Sequence, residues 1–285
     1  MTNKKDKNKK PIETTGHEWD GISEYNIPAP RWWLIVWLIC IVWSIGYWFF
    51  YPTWPTPSGN TKGSLNWSGV SQLKESQKEI EDLQNVYLEK FSKSNFEQIF
   101  KDPQLTEFAK NGGKIAFKEN CAACHGTGAQ GAKGYPNLND DDWLWGGKIE
   151  DIYTTLKYGI RSGHEKARFN QMPSFGLDKI LTKQEVKEVT EYVMSLTDKA
   201  SKNPKGEEIF KANCVACHGE GGKGNRELGA PNLSDAIWLY GGNKEDIIYT
   251  ITYAYAGVMP YWTGRLDEET IRQLSIYVHS LGGGE

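Results

Sequence analysis

The chain has 285 residues and a net charge of −3, room for roughly two domains. No long basic stripe appears outside the extreme N-terminus, so nothing in the charge points to a nucleic-acid partner. Its 12 Trp and 14 Tyr are many for this length, and suit a protein that packs against a flat apolar group and anchors in a membrane.

In chain order, residues 1–31 read as a polar tail. The run Trp32–Tyr51 carries no charge, and at about 1.5 Å per residue it reaches across a hydrocarbon core of about 30 Å. Trp32 and Trp33 at one end, with Tyr47, Trp48 and Tyr51 at the other, resemble interfacial aromatic belts. A cleaved signal peptide needs a shorter apolar region and a small-residue cleavage site, so 32–51 is expected to be a retained transmembrane helix. Lys4, Lys5, Lys7, Lys9, Lys10 and Arg31 precede it, whereas 52–73 holds only Lys62; this bias predicts a cytoplasmic N-terminus. Cys40, inside the span, reads as packing. Residues 52–104 are expected to be a Pro/Gly/Ser-rich connector followed by an amphipathic helical spacer, in which Ile80, Leu83, Tyr87 and Phe91 recur at helical intervals. Such a face either docks on a partner or on the following domains, or is simply solvated.

Beyond it the sequence repeats. Cys-x-x-Cys-His, Pro-Asn-Leu, aromatic-Leu-aromatic-Gly-Gly, Met-Pro and Tyr-Val occur twice in the same order. Two duplicated domains are therefore expected, 105–200 and 201–285, each with its own cofactor. The helices are predicted near 105–120, 149–158 and 182–195, then 205–213, 244–254 and 267–281, with little or no sheet. Thr182 and Asp267 are expected N-caps, and Thr182 with Glu185 forms a capping box. The first copy carries about eight extra residues before its Met, around 159–170.

The pentads Cys121-Ala-Ala-Cys124-His125 and Cys214-Val-Ala-Cys217-His218 consume four of the five cysteines and read as covalent c-type haem attachment sites. A structural zinc site prefers thiolate fourfolds or short ribbon spacings, and a thioredoxin-like pair would follow a strand. Haem of this type is attached outside the cytoplasm, which agrees with the lysine bias and puts the C-terminal bulk in the periplasm of a bacterial inner membrane. Units this small bury little apolar surface, so each haem is expected to complete its core. His125 and His218 are the expected proximal ligands. Met172 and Met259 are the expected distal ones, each at about the distance from its own pentad that a small cytochrome uses to bring a thioether to the opposite face. His164 reads as a surface or propionate-contacting residue, His279 as structural, and Arg161 and Arg168 as candidate propionate partners. With both axial positions filled, two covalently bound haem c groups point to electron transfer and to no catalytic centre in this chain.

Each repeat resembles a small c-type cytochrome, in which a Pro carbonyl orients the proximal imidazole; Tyr135-Pro136-Asn137-Leu138 and Ala230-Pro231-Asn232-Leu233 match that loop without its leading Gly, so Pro136 and Pro231 take that role by resemblance. The tail segments Gly16-His17-Glu18-Trp19-Asp20-Gly21-Ile22, Glu24-Tyr25-Asn26 and Pro28-x-Pro30-Arg31-Trp32-Trp33, followed by the tandem haem motifs, resemble the di-haem subunit (CcoP/FixP) of cbb(3)-type cytochrome c oxidases. The resemblance covers essentially the whole chain. It implies a mainly α protein, one N-terminal transmembrane helix followed by two tandem small cytochrome c domains. It also implies a non-catalytic electron-entry subunit of a terminal oxidase. Its partners would be a periplasmic donor cytochrome, a mono-haem c subunit and the haem–copper subunit that reduces oxygen. A free-standing membrane-anchored shuttle and a di-haem peroxidase stay open as rival readings.

Overall fold

The computed structural model describes residues 13–197 and 203–285. The lysines at 4–10 that carry the charge bias lie outside the described residues, as does the expected domain boundary at 200/201. The chain divides into two units, one up to Leu83 and one from Gln84 onward.

In the first unit, β1 (Thr14–Trp19) and β2 (Ile22–Tyr25) form an antiparallel hairpin. Asp20 (φ 48°) and Gly21 (φ 79°) turn it, the Asp-Gly chemistry of a two-residue hairpin loop. The tail is thus partly structured, which its polar composition concealed. Directly after Pro30 comes α1 (Arg31–Phe50), the one helix among the described residues long and apolar enough to cross a membrane. The connector folds back on its end: Ser64 N–H donates to Phe49 O at 3.0 Å and Leu65 N–H to Phe50 O at 3.2 Å. A small ladder, β3 (Pro55–Thr56) with β4 (Gly59–Asn60), interrupts the expected loop. The spacer is α2 (Gly69–Lys93), and in this unit its Leu73, Ile80 and Leu83 are exposed.

The second unit is helical: the end of α2, then α3 (Phe96–Lys101), α4 (Pro103–Asn120), α5 (Ala122–His125), α6 (Ile149–Tyr158), α7 (Lys183–Thr197), α8 (Pro204–Asn213), α9 (Val215–His218), α10 (Lys244–Tyr253) and α11 (Glu268–His279). Thr182 and Glu185 make their reciprocal capping bonds, at 2.8 and 3.3 Å, and Asp267 accepts from the Thr270 N–H at 2.7 Å. Phe91, fully buried with Ile99, Leu105 and Ile276, seats the last turns of α2 on α4 and α11. Of the predicted apolar stripe only this end is covered.

The two cores do not follow the two repeats. One gathers Phe117 of α4, Ile152 and Leu156 of α6, and Ile271, Leu274 and Val278 of α11. The other gathers Val186, Val189 and Val193 of α7, Phe210 of α8, and Ile247 and Ile251 of α10. Each closing helix therefore packs on the helices of the other repeat. Only residues 198–203 separate α7 from α8 in sequence, and so short a link favours packing of the two helices on each other. Glycine permits both helix crossings. A Cβ added at Gly113 would lie 2.2 Å from Gln273 O, and one at Gly206 would lie 2.2 Å from Glu188 O. The ring pairs Phe117–Tyr277 (5.5 Å) and Tyr192–Phe210 (5.2 Å) repeat the same contact in the two cores.

Candidate functional site: a cavity shared by both repeats

Each pentad begins where a helix ends. Cys121 closes α4 and Cys214 closes α8, with the same backbone angles, φ −115° and ψ −31°. One further turn follows: the His125 N–H donates to Cys121 O at 2.9 Å and the His218 N–H to Cys214 O at 2.8 Å. That turn brings two thiols and an imidazole into one neighbourhood. All five cysteines are free of disulfides. Burial pushes the Cys121 and Cys214 thiols up to about 11, so both stay protonated.

Each imidazole faces a Pro carbonyl. His125 Nδ1 lies 3.0 Å from Pro136 O, and His218 Nδ1 lies 3.0 Å from Pro231 O. The only protein hydrogen a carbonyl can accept here is on Nδ1, which leaves the Nε2 lone pair for a metal. Burial depresses the pKa of both rings, with the Pro carbonyls pulling weakly the other way. Neutral imidazole is the ligating form. His218 is only 9 % exposed.

The methionines take opposite partners from those their sequence order suggests. Met259 packs on the core that contains Cys121, and Met172 on the core flanked by Cys214. Backbone bonds fix this: Ile160 N–H donates to Met259 O and Met259 N–H to Ile160 O, both at 3.0 Å. Each Met-Pro segment thus packs against the core that carries the pentad of the other repeat. A single cavity of about 970 Å³ is lined by His125, Met172, Cys217, His218 and Met259. Free thiols, two Nε2 lone pairs and two thioethers around one mainly apolar cavity fit covalently bound haem.

The other expected residues sort plainly. Arg168 pairs with Asp151 at 3.0 Å and donates to Thr155 Oγ1 at 2.9 Å. Arg161 lines the cavity but donates to Gly257 O and Asn170 O, at 2.7 and 2.6 Å. His164 sits between the rings of Tyr158 and Tyr261, and its Nδ1 accepts from the Lys166 N–H at 3.0 Å. His279 Nε2 lies 3.0 Å from Glu285 O, a structural contact. Sequence reasoning missed Trp145 and Tyr240 as cavity walls. Their place in the repeated aromatic-Leu-aromatic-Gly-Gly was the available signal.

Comparison with known proteins finds three family matches along the chain. The family described as the N-terminal domain of cytochrome oxidase cbb3, FixP, matches residues 12–58. Cytochrome c matches 109–197, and cytochrome c oxidase, cbb3-type, subunit III matches 201–278. The chain is 52 % identical over 276 residues to the cbb3-type cytochrome c oxidase subunit FixP of Bradyrhizobium sp. (strain ORS 278), covering 95 % of each chain. It is 46 % identical to subunit CcoP of Cereibacter sphaeroides, again over 95 % of each. It is 47 % identical to subunit CcoP of Azospirillum sp. (strain B510), over 96 % of each.

Proposed function

Since the chain belongs to the FixP/CcoP family of cbb3-type cytochrome c oxidase subunits, electron-transfer subunits with covalently bound haem c, we propose that it carries two haems and relays electrons across its shared cavity. In this reading Cys121, Cys124, His125 and Met259 would hold one haem. Cys214, Cys217, His218 and Met172 would hold the other. Haem c supplies a one-electron iron couple when bound. The protein's part is to orient each imidazole through Pro136 O or Pro231 O, to offer a thioether that favours the reduced state, and to keep water out with Trp145, Leu144 and Tyr240. α1 is the anchor, with residues 1–31 cytoplasmic and the haem units periplasmic, in a bacterial inner membrane. Electrons come from a periplasmic cytochrome. They leave to a mono-haem c subunit and then to the haem–copper subunit that reduces oxygen.

The observation that carries this reading is the single cavity walled by both histidines and both methionines. Gentle solubilisation of the membrane tests it. Two haems per chain and a co-purifying haem–copper subunit are expected. One haem per chain, or repeated absence of that subunit, would contradict it.

A further inference from the structure

The two loops that orient the imidazoles are each held by an aromatic residue from the other repeat, and they are held unequally. An added Cβ at Gly229, two residues before Pro231, would lie 2.2 Å from Trp145 Cε2, so the indole rests directly on that backbone. At Gly134, the matching position two residues before Pro136, the nearest atom is Tyr240 Cε1 at 3.7 Å, an ordinary contact. A backbone bond, Gly134 N–H to Leu239 O at 2.7 Å, supplements it. Trp145 is itself clamped. It is 9 % exposed, and the Arg168 guanidinium lies 5.5 Å from its ring centroid. Arg168 is fixed in turn by Asp151. Nearby, Asn170 Nδ2 donates to Leu228 O at 2.8 Å, next to Gly229. Arg168 and Asn170 both belong to the insertion that the second repeat lacks. The insertion therefore acts on the loop of the other repeat.

We propose that Trp145 is a positioning residue for the haem bound at Cys214 and Cys217: pressed between Arg168 and Gly229, it fixes the loop whose Pro231 carbonyl orients His218, and so sets the potential of that haem and not of its neighbour. The physical link is the hydrogen bond to the ligand's second nitrogen, which tunes ligand basicity and hence the iron couple. The inference rests on the two-haem reading above, and haem content tests that reading separately.

The experiment is a spectroelectrochemical titration of both haems in the complete oxidase complex. It compares the parent with Trp145→Phe, Trp145→Ala, Gly229→Ala and the Trp145→Ala/Gly229→Ala pair. Trp145→Ala is expected to move one midpoint by a tenfold change in its equilibrium constant, about 59 mV for one electron, and the other by much less. Trp145→Phe should recover most of that shift. Gly229→Ala should move the same midpoint, and the double variant should shift it by clearly less than the sum, because the collision is gone. Equal movement of both midpoints, movement of neither, or additive shifts would overturn the proposal. If Trp145→Ala does not assemble, Trp145→Phe and Gly229→Ala decide it. A parent with fewer than two haems would instead sink the earlier reading.

Discussion

The two pentad-bearing repeats share a scaffold down to the hydrogen bond on each imidazole, 3.0 Å in both, yet they are braced differently. Around His218 the insertion ties the loop through Asn170 and, by way of Arg168, through Trp145. Around His125 the corresponding loop rests on a lighter contact with Tyr240, and Lys133 in that loop reaches across to Asp246 at 2.6 Å. Asp151 and Asp246 occupy matching places after the two Gly-Gly pairs. One is satisfied within its own repeat by Arg168, the other from the opposite repeat by Lys133. Duplication kept what haem attachment needs and let the bracing diverge.

The comparison is broken most severely at the imidazoles. His218→Ala should remove the nitrogen ligand of the haem proposed there while Cys214 and Cys217 still hold it covalently, so the core around it loosens; absorption spectroscopy and circular dichroism would register it. His125→Ala should do the same to the other unit. Next in size are the helix crossings. Gly206→Val and Gly113→Val each drive a side chain into a backbone carbonyl across an exchanged pair. Each should cost about 3 kcal/mol in chemical denaturation. Similar losses in both would show that the crossings are equivalent.

A smaller effect sharpens the contrast at Asp142. Burial, followed by the neighbouring Asp235 and Asp140, raises its carboxyl to about 6. Its counterpart in the second repeat is Ile237. A folded pKa above the unfolded value of 3.8 means that stability falls as pH rises through the window from about 4 to 6, and stays lowered above it. Asp142→Asn should therefore stabilise by about 1 kcal/mol at pH 8, with the gain vanishing near pH 4. Thermal melts at the two pH values measure this. A gain that grows toward acid would contradict the assignment.

Much of this was legible in the sequence because short motifs carry their own geometry. The pentads, the Pro-Asn-Leu loops and the helices around them need only local backbone preference and a 3.6-residue period. The capping box at Thr182 and Glu185 is of the same kind. The exchange of α7 and α11 was not legible, because the helical pattern of Val186, Val189 and Val193 says which face is buried but not against which partner. The ion pair of Arg168 was illegible for a related reason: the carboxylate of Asp151, seventeen residues earlier, is found only in three dimensions. The hairpin turn at Asp20-Gly21 was legible in principle, but strands 14–19 and 22–25 lack the alternating apolar face that marks a buried strand.

Crossed ligation, with Met172 serving the haem at Cys214 and Cys217, is tested most directly by one measurement. In a chain whose first haem site is removed by Cys121→Ala and Cys124→Ala, the sulfur-to-iron charge-transfer band of the remaining oxidised haem would be recorded with Met172→Ala or Met259→Ala added. The band is expected to vanish with Met172→Ala and to survive Met259→Ala. Loss with Met259→Ala and survival with Met172→Ala would contradict it.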